Sequence, residues 1–263
     1  MSDIAKWPDL ASRLASAVFM IIVGLLGLSY GGHIFHVLIA LICGLMIWEL
    51  VRMISPLDEP LALQLGLLGA SASIVAIYIP TGLGLLLLLV PAVIGFARLS
   101  NYRMIFIGFS VIILLAGFGM MTVRDDFGFT WMLWLIVVVM VTDVSGYFAG
   151  RLIGGPKFWP AVSPKKTWSG TVFGWIGAAI IGYIFTFYTG SSFELIGFSI
   201  LVAIASQMGD IVESALKRKM GVKDSSALIP GHGGVLDRFD GMLGAAVFLL
   251  IFSQVFGFKL FFN

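Results

Sequence analysis

Between Ser206 and Asp240 the chain reads SQMGDIVESALKRKMGVKDSSALIPGHGGVLDRFD. Five carboxylates (Asp210, Glu213, Asp224, Asp237, Asp240) interleave there with five cations (Lys217, Arg218, Lys219, Lys223, Arg238) and with His232. Ionisable groups near a bilayer are costly, so an otherwise apolar chain gathers them for a task. Oxygen ligands from Asp210, Asp237 and Asp240, with Asp143 available, suit hard cations such as Mg²⁺. One histidine in the stretch and no cysteine cluster do not make a conventional zinc site. Acids that hold metal, set among bases that hold phosphate, are the components of phosphoryl or nucleotidyl transfer. The competing reading is a salt-bridged cytoplasmic turn.

Two earlier stretches carry matching chemistry. In VTDVSGYFAGRLIGG, Asp143, Gly146, Tyr147 and Gly150 fall on one helical face. A carboxylate in an apolar helix must face protein, water or a cation. The next loop, RLIGGPKFWPAVSPKKTWSG, sets Lys165, Lys166 and Thr167 just before a helix. Cations and free backbone N–H groups at a helix start make an anion site. Positive-inside anchoring alone would explain the lysines, but not Ser163, Pro164, Thr167 and Gly170 beside them. Further on, Ser206, Asp210, Glu213 and Lys217 form one polar stripe along a helix. Asp210 lies about 25 Å of rise from the outer end of that helix, which places it near the inner interface of a core about 30 Å thick. The glycines at 231, 233 and 234 allow ligand phosphates to approach the backbone closely.

The elements that must position these groups are membrane helices. A hydrophobic content of 59% with only 11% charged residues lies far outside soluble-domain values. The expected fold is all-α, a polytopic integral membrane protein of about nine transmembrane helices. The expected spans are about 14–29, 34–52, 61–79, 82–98, 104–122, 130–150, 170–188, 193–217 and 241–258, with Pro91 breaking or kinking the fourth. The first is read as an uncleaved helix, not a signal peptide. With the N-terminus inside and the C-terminus outside, fourteen of the sixteen Lys and Arg fall on the inner side, and Arg124 and Lys259 on the outer. Both long polar loops then face the cytoplasm. One membrane domain is expected over 1–263, with N-terminal helices to about 125 and catalytic helices and loops over about 130–260. Cys43, within an apolar run, reads as a packing residue.

The first half offers less. Glu49 and Arg52 read as an ion-paired or snorkelling couple at the inner interface. His33 and His36 read as interfacial polar residues, and Asp125 and Asp126 as solvated.

Residues Ser214 to Asp240 resemble the phosphatidate cytidylyltransferase (CDP-diacylglycerol synthase) family pattern. The fixed elements are Ser-x-x-Lys-Arg at 214–218, Lys223-Asp224, Pro-Gly-His-Gly-Gly at 230–234, and Asp-Arg-x-Asp at 237–240. Asp143 to Arg151 and Ser163-Pro-Lys-Lys-Thr167 agree with it more weakly. Gly146 stands where the family usually has Ala. Ser169 stands where it often has Glu, so position 169 is not carried over as catalytic. The resemblance covers about 140–240.

The resemblance implies transfer of CMP from CTP to phosphatidic acid, giving CDP-diacylglycerol and pyrophosphate with Mg²⁺, and two divalent ions are expected. Asp210 and Asp237 are the implied main metal ligands, with Asp240 and Asp143 supporting. Asp210, Asp237, Lys223, Asp224 and Arg238 are the implied catalytic set. Lys165, Lys166, Thr167, Ser214, Lys217, Arg218, His232, Gly233 and Gly234 are the implied substrate-binding set. The expected partners are CTP, phosphatidic acid and membrane lipid, with no nucleic acid; a homodimer is compatible with the Gly-rich faces. The expected location is the plasma or inner membrane.

The rival readings are a CTP-dependent polyprenol or phytol kinase, which would release CDP, and an anion transporter, against which the interfacial acids and the absence of an inverted repeat stand. For a structural subunit the charge cluster would have no reason.

Overall fold

The computed structural model describes residues 7–256, with side chains from Leu10 to Val255. Lys6, Lys259, both chain ends and the last residues of the expected final span lie outside the described residues. The chain divides into two compact units. One holds the described residues up to Asp125 together with Met220–Phe239; the other holds Asp126–Lys219 and the described residues from Asp240 on.

The first unit opens with α1 (Trp7–Tyr30), α2 (Gly32–Ile54) and α3 (Glu59–Ala76). Asp58 starts α3 by accepting the Leu61 amide at 3.1 Å, and Pro60 needs no amide partner in that first turn. The two helices cross where small residues let backbones meet: a Cβ on Gly44 would lie 2.8 Å from the Gly66 carbonyl, and one on Gly66 equally close to Gly44. The expected fourth span is split into α4 (Thr81–Leu87) and α5 (Val90–Arg98), and Pro91 sits in the first turn of the second piece. The loop 220–239 also belongs to this unit.

Helix α6 runs over Arg103–Leu152 and is interrupted at Gly128, whose φ of 81° and ψ of −170° are not helical. Its 50 residues would rise about 75 Å as one helix, far more than a bilayer core. The expected spans 104–122 and 130–150 both fall inside it. Among the described residues eight helices are long and apolar enough to cross a membrane when α6 is counted once, and α6 itself is two helices that meet at the Gly128 kink.

In the second unit, β1 (Lys157–Trp159) and β2 (Ser163–Thr167) pair antiparallel within the first of the two expected polar loops. Then follow α7 (Trp168–Thr189), α8 (Glu194–Lys219) and α9 (Leu236–Phe256), whose first residues belong to the other unit. Trp134 is buried against a stacked Phe198 and donates its indole N–H to Ser199 Oγ at 3.1 Å. This closes a polar group inside the apolar core. The protein is thus an all-α, multi-pass membrane protein with one small hairpin.

Candidate active site

The second unit carries a cavity of about 410 Å³ lined by Asp143, Lys165, Lys166, Thr167, Gln207 and Asp210, among others. Its walls are built locally. The face Asp143, Gly146, Tyr147, Gly150 of α6 lines it, as periodicity requires. Gly146 faces Gly170 at the start of α7: a Cβ at 146 would lie 3.0 Å from the Gly170 carbonyl, so the two helices approach closely there. Thr167 ends β2 and caps α7, its Oγ1 accepting the Gly170 amide at 3.2 Å. The hairpin therefore delivers Lys165, Lys166 and Thr167 to the helix start as one rigid piece.

The polar stripe on α8 supplies the facing wall. Asp210 Oδ2 is ion-paired with Lys166 Nζ, and Ser214 Oγ donates to Asp210 Oδ1 at 3.2 Å. Glu213, buried, pairs with Lys217 at 2.6 Å one turn along. Asp240, at the start of α9, accepts the Gly241 amide at 2.7 Å. Asp143, Asp210 and Asp240 lie within electrostatic reach of one another, with Lys166 near Asp143 and Lys217 near Asp240. Three carboxylates with two nearby ammonium groups leave an excess of hard oxygen donors, the chemistry that fits Mg²⁺. Among the described residues no three acidic or imidazole groups converge at coordination distance. Arg218, another cation of that turn, is exposed.

The other expected site residues belong to the first unit. Lys223, Asp224 and Arg238 are exposed on its loop. His232 is held through Nδ1 by Ser16 Oγ of α1 at 2.8 Å. Asp237 is buried, and its Oδ2 takes three donors: the Ser225 amide at 2.8 Å, Ser225 Oγ at 3.0 Å and the Gly234 amide at 2.8 Å.

Glu49 is the residue that sequence reasoning misread. It is fully buried, and its carboxylate accepts four donors from the same loop. Ser226 Oγ at 2.6 Å and the Val235 amide at 2.8 Å meet Oε1; the Leu236 amide at 2.7 Å and Ser225 Oγ at 3.1 Å meet Oε2. The expected couple with Arg52 does not form. Arg52 instead pairs with Glu59 at 3.2 Å and lies over the Trp48 ring. Four donors, two of them amides at the start of α9, satisfy a buried carboxylate better than one interfacial guanidinium. The glycines acquire a different reason as well. A Cβ at Gly233 would lie 2.7 Å from Asp237 Oδ2, and one at Gly234 would lie 2.5 Å from Glu49 Oε1. The close approach they permit is to carboxylates of the chain itself.

The remaining polar groups of the first half are also engaged. His36 Nε2 pairs with Asp125 Oδ2 at 2.8 Å, so Asp125 is not simply solvated. Tyr78 Oη joins His33 Nδ1 and His36 Nδ1, the latter at 2.9 Å. Cys43 is buried, with its thiol donating to the Ile113 carbonyl at 3.6 Å.

Curated relatives named phosphatidate cytidylyltransferase resemble this chain over half their length. The Brucella abortus protein is 44% identical over 134 residues, 50% of this chain and 50% of its own. The Helicobacter pylori protein is 43% identical over 132 residues, 49% of each. The Bacillus subtilis protein is 38% identical over 135 residues, 50% of each. The chain thus spans about half the length of these relatives in alignment. The sequence model of the cytidylyltransferase family, by contrast, matches residues 11–256, nearly the whole chain. With the acid-lined, lysine-flanked cavity set among its membrane helices, the chain belongs to the cytidylyltransferase family.

Proposed function

We propose that the protein transfers CMP from CTP to phosphatidic acid, forming CDP-diacylglycerol and pyrophosphate for phospholipid synthesis. The observation that carries this reading is the meeting of Asp143 and Asp210 with Lys165, Lys166 and Thr167 on one cavity. The names of the relatives point the same way.

The chemistry is economical in protons. A phosphate oxygen of the lipid attacks the α-phosphorus of CTP; the new P–O bond forms as the bond to the bridging oxygen breaks, and pyrophosphate leaves. The nucleophile is already an anion, so no base has to remove a proton. The obstacle is repulsion between two polyanions and the charge that develops on the leaving group. Lys165 and Lys166, at the start of α7, receive phosphate charge. Lys166 already neutralises Asp210 and exchanges that partner for a phosphate oxygen when substrate enters. Asp210, Asp240 and Asp143 would hold magnesium, which would supply positive charge against the triphosphate and the leaving pyrophosphate.

The cavity and the loops face the cytoplasm, where CTP is dissolved, with the N-terminus inside and the C-terminus outside. The distribution of Lys and Arg supports this orientation.

The test is to incubate the detergent-purified protein with labelled CTP, phosphatidic acid and Mg²⁺. Pyrophosphate and a cytidine-bearing lipid are expected together. Untouched CTP overturns the reading, and CDP as product replaces it with a lipid kinase.

A further inference from the structure

We infer that Glu49, on the second helix, is a positioning residue for the reaction: it sets the shape of the 225–236 loop and the first turn of α9. The inference rests on the reaction assigned above. The anchor is unusual in its reach. Glu49 bonds residues 176 to 187 positions away, through two amides and two hydroxyls. Three of these donors serve Glu49 alone, and the single Ser225 hydroxyl hydrogen is shared with Asp237.

Ser225 links this anchor to Asp237. Its hydroxyl lies 3.1 Å from Glu49 Oε2 and 3.0 Å from Asp237 Oδ2, and its amide donates to the same Asp237 oxygen. Gly234 is bound on both sides: its amide goes to Asp237, and the space a side chain would fill is taken by Glu49. The two carboxylates and the loop are thus one hydrogen-bonded unit. The residues between and beside the anchor points are His232, Arg238 and the Lys223-Asp224 pair. Their backbone adjoins the points that Glu49 and Asp237 hold.

Glutamine at 49 keeps the shape but replaces one acceptor oxygen with a donor. That donor faces the Val235 amide on one side or the Leu236 amide on the other, and neither amide can accept. A buried donor facing donors drives the loop away from its position.

The experiment compares wild type, Glu49→Gln and Ser226→Ala for kcat, KM, thermal melting and amide exchange by mass spectrometry. In Glu49→Gln, kcat is expected to fall at least about tenfold, since misplaced groups cost on the order of 10–100-fold. KM for CTP is expected to change less than kcat, because Lys165, Lys166 and Thr167 take no bond from Glu49. Faster exchange is expected in peptides covering 225–239 and not in the other helices. Ser226→Ala, which removes one donor and leaves both amides, is expected to shift kcat in the same direction by less, and it decides the matter if Glu49→Gln does not fold. Unchanged kcat in the folded variants overturns the inference. So does a loss of kcat accompanied by faster exchange throughout the protein, which marks general destabilisation. If wild type forms no cytidine-bearing lipid, the assigned reaction fails and takes this inference with it; active wild type with unaffected variants removes Glu49 alone.

Discussion

At the scale of single residues, the ion pair between Lys166 and Asp210 sets the resting state of the cavity. In this half-buried pair desolvation offsets much of the attraction, so its net contribution to stability is modest, whereas a lysine on a substrate phosphate contributes a charge-assisted bond. Replacing Lys166 with Ala is therefore expected to leave the melting temperature nearly unchanged and to raise KM for CTP by roughly tenfold, the loss of one such bond. Steady-state kinetics at saturating lipid measures it. A KM equal to that of wild type would place the phosphates elsewhere. Residues whose neighbours lie one helical turn away were legible in the sequence. Asp143, Gly146, Tyr147 and Gly150 share a wall of the cavity because 3.6-residue periodicity puts them there. Glu49 was not legible. Its nearest charged neighbour along the helix, Arg52, offered a local partner, while the true donors lie on a loop that no periodicity connects to α2. Asp125 was misread for the same reason, its partner His36 being 89 positions away.

At the scale of elements, the β1–β2 hairpin and α7 share a residue. Thr167 is the last residue of the strand and the cap of the helix. Thr167→Ala is expected to cost about 1 kcal/mol, the usual value of a lost N-cap, and Thr167→Ser to retain most of it. Thermal unfolding in detergent distinguishes the two; equal melting of all three proteins would show that the cap contributes nothing. The helix start itself was readable from Ser163 to Gly170, because capping residues and a helix-opening glycine have local signatures. The hairpin was not readable: a three-residue and a five-residue strand are too short to show alternation. The split of the fourth span at Pro91 was readable because proline removes a helical hydrogen bond wherever it falls. The place of the break between the two helices of α6 was not. Arg124, Asp125 and Asp126 looked like loop residues by charge alone, and only Gly128 departs from helical geometry.

At the scale of the whole molecule, composition settled the class, since a chain this apolar has few alternatives to membrane helices. The proposed orientation rests on the Lys and Arg distribution and is open to direct test. Cys43 is fully buried, so the native protein offers little background to a thiol reagent. Cysteine placed at exposed Lys157 is expected to react with an impermeant maleimide only from the cytoplasmic face, and cysteine at exposed Ser192 only from the opposite face. Labelling of both from one side would overturn the topology. Either outcome is read from sealed vesicles of known sidedness.

The glycine-rich loop has a consequence for binding thermodynamics. Its backbone donors at Gly234, Val235 and Leu236 are already taken by Asp237 and Glu49. The loop therefore acquires its order when the protein folds, not when nucleotide arrives. In the proposed reaction, the ordering entropy of this loop is therefore met on folding and is not part of the free energy of nucleotide association.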